Sequence, residues 1–272
     1  MLLRQLAAVL IHWFPQRRFL FLGDGGYASH ELARFCSRHA PNATLVSRFH
    51  PKANLYAPPP KAKRSVGRPR VRGRKLPSPA EVVSQSRLRK TRVSWFGGST
   101  RRVGLVTGVG HWFKSGHGLV CVRWVFVRNL QGTHRDEYFY STDPTLSPEE
   151  IVSLYTQRWP IETTFQEIRA HLKFETPRQW TARSVLRTGP WLLGLYSVIC
   201  LIFADQTRRK KIRIAQRPWY SKTEPTFSDA IACVRRRFWS ETILKGSKNH
   251  GGFKKIPHKL RETLLDQLSL AA

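Results

Sequence analysis

The sequence has 272 residues, 41% hydrophobic and 11% aromatic, with 47 Lys and Arg against 17 Asp and Glu. Apolar side chains at that level exclude wholesale disorder, and the length fits one large domain or two small ones. A formal net charge of +30 and a pI of about 11.2 predict a polyanionic partner, with nucleic acid favoured over an anionic membrane surface.

Cys36, Cys121, Cys200 and Cys233 lie far apart, with no CxxC and no His-paired spacing. Neither a zinc finger nor a disulfide framework is expected, and a reducing compartment fits best. The apolar stretch Gly189 to Ala204 is shorter than the roughly 18 residues that suggest a membrane span, so it reads as a core helix. Met1–Phe14 is apolar but has no small-residue cleavage site after it, which argues against a signal peptide. The expectation is a soluble, cytoplasmic protein with no membrane partner.

Along the chain, Leu2, Leu3, Leu6, Val9 and Leu10 recur at helical spacing. Phe19 to Gly23 is a short apolar run that reads as a fully buried strand with Asp24 at its C-terminal end. Ser29 to His39 reads as a helix with Ser29 as N-cap, and Thr44 to Ser47 as a second buried strand. Residues 1–50 thus give a fragment of an α/β sheet. Residues 51–90 read as a basic Pro/Gly-rich arm; from Lys61 to Lys75, eight of fifteen residues are basic and no apolar periodicity exists.

Residues 91–145 are rich in β-branched and aromatic residues punctuated by glycines, and predict a mainly antiparallel sheet. Ser147-Pro-Glu-Glu150 is a strong helix start, and a helical pattern runs to about Leu172 with an interruption at Trp159-Pro160. Val185 to Ala204, apolar nearly all round, predicts a buried helix; residues 146–206 are read as core helices. Residues 207–272 form a basic, helical tail that opens with Arg208-Arg-Lys-Lys211 and is amphipathic around Phe227–Trp239.

An Asp at the tip of a central strand stands where open α/β sheets place their sites. The densest partner segment is Tyr155 to Arg169, in which Tyr155, Arg158, Glu162 and Arg169 fall on one helical face, weakened by Pro160. A carboxylate flanked by Arg and Tyr suits a divalent cation while its neighbours hold phosphate oxygens.

Leu22-Gly-Asp24-Gly-Gly-Tyr27 together with Tyr155-x2-Arg158-x3-Glu162 resembles the DDE transposases of bacterial insertion sequences, specifically the IS4-like group. That group carries a Tyr-x2-Arg-x3-Glu-x6-Lys signature, whose last position here is Arg169, keeping the charge but not the ammonium geometry. Tyr140-Ser-Thr-Asp143 and Arg169-x2-Leu172 are also similar to it. The resemblance implies an α/β, ribonuclease-H-like core with a mainly antiparallel β insertion and C-terminal helices. It implies Asp24 and Glu162 as second and third catalytic acids, holding Mg²⁺ or Mn²⁺ in a two-metal site for attack on a phosphodiester. Tyr155, Arg158 and Arg169 would contact the backbone of transposon-end DNA, with a homodimer on paired ends as one arrangement and the bacterial nucleoid as the location. Trp95, Trp112 and Trp124 are the candidates for stacking a flipped base.

The first catalytic Asp of that group should precede Asp24, yet residues 1–23 contain no Asp or Glu. The expectation is therefore an incomplete core with its first strands missing, an incomplete metal site, and a chain that is inactive alone. Gly67-Arg68-Pro69-Arg70 resembles an AT-hook core, although phosphate contact by Arg68, Arg70, Arg72, Arg74 and Lys75 is the favoured role. The rival reading is a non-catalytic basic DNA-binding protein using the 61–75 arm. His12, His50, His111, His117, His134 and His171 show no ligand spacing, Trp191 and Trp239 read as core, and Glu31, Asp136, Asp143 and Glu167 read as surface or turn acids.

Overall fold

The apolar run Phe19–Gly23 forms strand β1, but it pairs with one neighbour only, the parallel strand β2 (Ala43–Arg48). The structure, a computed structural model, describes residues 2–60, 70–132, 134–175, 181–209, 222, 224–246 and 257–270. Arg68, the rest of 61–69, and Lys210 and Lys211 lie outside the described residues. Two compact units divide the chain, residues 1–160 and 161–272.

In the first unit a seven-stranded sheet runs β1-β2-β7-β6-β5-β3, with β4 also paired to β5. The further strands are β3 (Leu55–Tyr56), β4 (Arg89–Ser94), β5 (Thr100–Lys114), β6 (Gly118–Asn129) and β7 (Glu137–Ser141). The expected antiparallel region is present: β4–β5, β5–β6 and β6–β7 are all antiparallel. It is not a separate layer, however, because β7 pairs antiparallel with β2 and makes one continuous sheet. Mixed α/β with a mostly antiparallel sheet is the architecture.

One sequence expectation for β1 fails here. An edge strand exposes one row of backbone groups, and Leu20 is 40% exposed, so Asp24 ends an edge strand rather than a central one. Helix α1 (Leu2–Trp13) forms at its predicted place yet buries only Ala7, leaving Leu2 70% and Trp13 67% exposed.

Helix α2 (His30–Arg38) starts as its sequence dictates, with Ser29 Oγ accepting from Leu32 N at 3.2 Å. Its Leu32, Ala33 and Cys36 pack on one sheet face with Leu45, Val120, Val122, Trp124 and Tyr140. Close approach is required at Gly108, where an added Cβ would lie 2.8 Å from the Trp124 ring. The other face packs on α4 (Pro148–Thr156) through Val46, Val103, Val125, Phe139, Ile151, Val152 and Tyr155. Ser147 and Glu150 close the predicted capping box at its start.

Residues 51–90 hold more structure than an arm. Ser78, followed by Pro79 and Glu81, caps a short helix α3 (Pro79–Gln85) with a second capping box, and Leu76 N bonds Leu55 O at 2.8 Å. The capping signal was present in the sequence, hidden by the surrounding charge.

In the second unit, α5 (Pro160–Leu172, its first residue in the first unit), α6 (Ala182–Arg208), α7 (Phe227–Gly246) and α8 (His258–Leu270) are described. Ile199, Phe227 and Ala230 make a small core, and Arg236 of α7 pairs with Glu262 and Asp266 of α8. The buried-helix reading of α6 is corrected: only Ile199 is buried, while Trp191 and Leu201 are 75% and 70% exposed. At 27 residues, α6 is long and apolar enough, by length and composition, to cross a membrane. The apolar pattern was read correctly, but a pattern does not say what will cover it. Trp239 is half-buried rather than core.

Candidate functional site

Helix α4 ends at Thr156 and α5 begins at Pro160. The predicted interruption falls at 157–159, because Pro160 has no N–H to donate and disfavours α geometry before it. Tyr155 therefore ends α4, Arg158 sits in the turn, and Glu162 lies in the first turn of α5. The one-face reading of Tyr155, Arg158, Glu162 and Arg169 fails, since two helices rather than one carry them.

In the first unit, Arg48, Phe96, His134, Arg135, Glu137, Tyr155, Arg158 and Trp159 line a cleft of about 330 Å³. Three guanidinium groups face one carboxylate there, leaving a surplus of two positive charges. Arg48 Nη2 donates to Glu137 Oε1 at 2.7 Å, and Arg135 Nε lies 3.8 Å from the same oxygen. At the rim, Trp159 is 46% exposed and meets the Phe96 ring edge-on at 5.9 Å.

Tyr155 forms the floor. Its ring is 1% exposed and stacks on Phe139 with centroids 4.1 Å apart, and the Arg48 and Arg158 guanidinium carbons lie 6.0 and 5.8 Å from its centroid. Its hydroxyl makes no well-formed hydrogen bond, although the Arg158 side chain lies close enough to act on it. Burial pushes the phenol above its ordinary value and the two guanidinium groups offset part of that shift, so the group stays protonated and able to donate. A protonated donor between two arginines at the foot of a cationic cleft is a receptor for an anionic oxygen.

Asp24 lies at the end of β1, where Oδ1 accepts from Gly26 N at 2.9 Å and caps a single 3₁₀ turn; its backbone oxygen accepts from Ser47 Oγ at 2.9 Å. Glu162 is exposed on α5. Arg169 pairs with Glu175 at 2.6 and 3.1 Å on the exposed surface of α5. In the 61–75 stretch, Arg72 is docked on Tyr56 and Phe113, with its guanidinium carbon 4.7 and 4.6 Å from the ring centroids. Arg70, Arg74 and Lys75 are exposed.

The expected base-stacking residues are corrected. Trp95 and Trp124 are 5% and 2% exposed, and Trp112 is wedged edge-on against Phe49, Tyr140 and His30. All three are packing residues, whereas Trp159 at the cleft rim is exposed. Sequence reasoning also missed Arg48 and Arg135, since nothing local in Val46-Ser-Arg48-Phe says that β2 will deliver its last side chain beside Tyr155.

Among the described residues no group of three or more His, Cys, Asp or Glu is gathered as a metal site. Asp24 lies in the first unit and Glu162 in the second, and neither belongs to such a group among the described residues.

The first unit thus combines a mixed α/β sheet with a cationic, aromatic-rimmed cleft that includes Tyr155 and Arg158. Residues 3–183 match the family described as transposase DDE domain, and the chain belongs to that family. Transposases act on DNA, and DDE domains generally use divalent metals. No curated protein matches the chain.

Proposed function

We propose that this chain serves DNA transposition by binding transposon-end DNA, with its cleft around Tyr155 as the contact for the phosphate backbone. The observation that carries the reading is the buried Tyr155 hydroxyl set between Arg48 and Arg158 in a chain of the transposase DDE family. The protonated phenol donates to a phosphate oxygen, the two guanidinium groups balance its charge, and Trp159 with Phe96 offers a rim on which a base or sugar rests.

Strand cleavage and transfer is the proposed reaction class, with Asp24 and Glu162 as the carboxylates for Mg²⁺ or Mn²⁺. The described residues gather no cluster of three or more His, Cys, Asp or Glu. The IS4-like group, a ribonuclease-H-like core, a homodimer on paired ends and a bacterial, nucleoid-associated location belong to the same reading, supported by the Tyr155–Glu162 signature. In the domain reading that goes with it, 1–50 is the core segment that holds the second acidic position and ends in β2, 51–90 the basic segment, 91–145 the β insertion, 146–206 the helices with the signature, and 207–272 the tail.

Binding of an end-containing duplex, measured with wild type and Arg158→Gln, tests the reading. The affinity falls and its salt dependence becomes shallower by about one phosphate contact, roughly 0.9 in slope. Equal affinity and slope would place DNA elsewhere. Metal affinity of Asp24→Asn and Glu162→Gln, read by Mn²⁺ titration in the presence of DNA, tests the two acids.

A further inference from the structure

The sheet carries a second cationic surface. In the antiparallel register Arg92 of β4 lies directly opposite Arg102 of β5, and Lys90 lies opposite Gly104, itself opposite Arg128 of β6. Residues opposite one another share a face, so these four basic side chains line one side of the β4-β5-β6 ribbon. Arg89 marks the reverse side, since it pairs at 2.6 Å with Glu149 of α4, where Val93, Val103 and Leu105 also pack. The basic ribbon and the Tyr155 cleft thus belong to opposite faces of the sheet.

Arg128 is taken up by Asp136. Lys90, Arg92 and Arg102 are exposed and make no salt bridge with a described acidic residue. Like charges placed directly across a strand pair destabilise it, so the Arg92–Arg102 pairing opposes folding unless a polyanion neutralises it. Cations two residues apart on a strand stand about 6.7 Å apart, close to twice the roughly 3.4 Å axial step per phosphate of one DNA strand. The strands with Arg102 (β5) and with Lys90 and Arg92 (β4) lie four and five strand spacings from β1, about 19 and 24 Å, so they are not part of the Asp24 edge.

We propose that Lys90, Arg92 and Arg102 form a second backbone-contact surface for duplex DNA, which holds a stretch of DNA other than the one in the Tyr155 cleft. This rests on the reading that the chain binds DNA. The rival account is that charge on the β4 edge only guards against strand-to-strand association.

The test is the full chain carrying Arg92→Gln and Arg102→Gln, with binding of a short mixed-sequence duplex followed over a salt series. The expected slope of log affinity against log salt is shallower by about 1.8, two contacts at roughly 0.9 each, with weaker binding throughout. Tm is not lowered, because the opposed charges are gone. Lys90→Gln alone reduces the slope by about 0.9 and serves should the double variant fail to fold. An unchanged slope and affinity overturns the proposal, and self-association with an unchanged slope assigns the edge-guard role instead. Failure of the wild type to bind duplex at all would sink the DNA reading itself, whereas wild-type binding with no change in the variants sinks only the second surface.

Discussion

Arg48 at the end of β2 and Glu137 at the start of β7 are joined by a 2.7 Å ion pair across two antiparallel strands, and Arg135 reaches the same carboxylate. Glu137 is therefore the single anionic anchor of a cleft that otherwise holds arginines. It orients Arg48 and also reduces the pull of the cleft on an anion. Glu137→Gln is expected to destabilise the protein by about 1 kcal/mol in urea unfolding and to tighten DNA binding at low salt. Loss of stability with weaker binding would show that Glu137 only positions Arg48.

Tyr155 separates packing from contact. Its ring fills the core beside Phe139, while its hydroxyl makes no well-formed hydrogen bond. Tyr155→Phe keeps the ring, so unfolding free energy changes by less than about 0.5 kcal/mol while DNA affinity drops. Tyr155→Ala costs about 3–5 kcal/mol through the cavity it leaves. Equal DNA affinity of wild type and Tyr155→Phe would remove the hydroxyl from the contact.

The two capping boxes predict an acid limb of stability. Hydrogen bonds from Ser78 and Ser147 hold Glu81 and Glu150 below their ordinary value of 4.5. A carboxyl whose folded value lies below its unfolded one contributes fully above the unfolded value and loses that contribution as pH falls through the folded value. Ser147→Ala therefore lowers Tm at neutral pH, by roughly 2–4 °C, and the gap to wild type closes as pH falls through the lowered value of Glu150. A gap that stays constant under acid would mean the box contributes nothing electrostatic.

Much of the local structure was legible in the residues themselves. Ser29 and Ser147 marked helix starts, Pro160 marked the break, and the β-branched and aromatic run Leu119–Val127 marked a strand, because each depends on neighbours in sequence. Register and cover were not legible. The edge position of β1, the burial of Trp95 and Trp124, and the meeting of Arg48 with Tyr155 depend on pairings made across many residues. Asp24 and Glu162 were singled out by motif alone, and the pairing of Arg169 with Glu175 was missed because the partner lies beyond the motif's end.

Helix α6 provides a check on that lesson. With Trp191 75% exposed, Trp191→Gln is expected to change unfolding free energy by less than about 0.5 kcal/mol. A cost of several kcal/mol would restore the core reading of this helix.

The central claim is that DNA enters the cleft lined by Arg48, Tyr155, Arg158 and Trp159. Photo-cross-linking of the full chain to end-containing duplex carrying 5-iodouracil, with the adducts mapped by mass spectrometry, tests it most directly. The account predicts an adduct on Trp159 or Phe96 that disappears when Arg48 and Arg158 are both changed to Gln. Adducts confined to residues outside this cleft, and indifferent to those two substitutions, would contradict it.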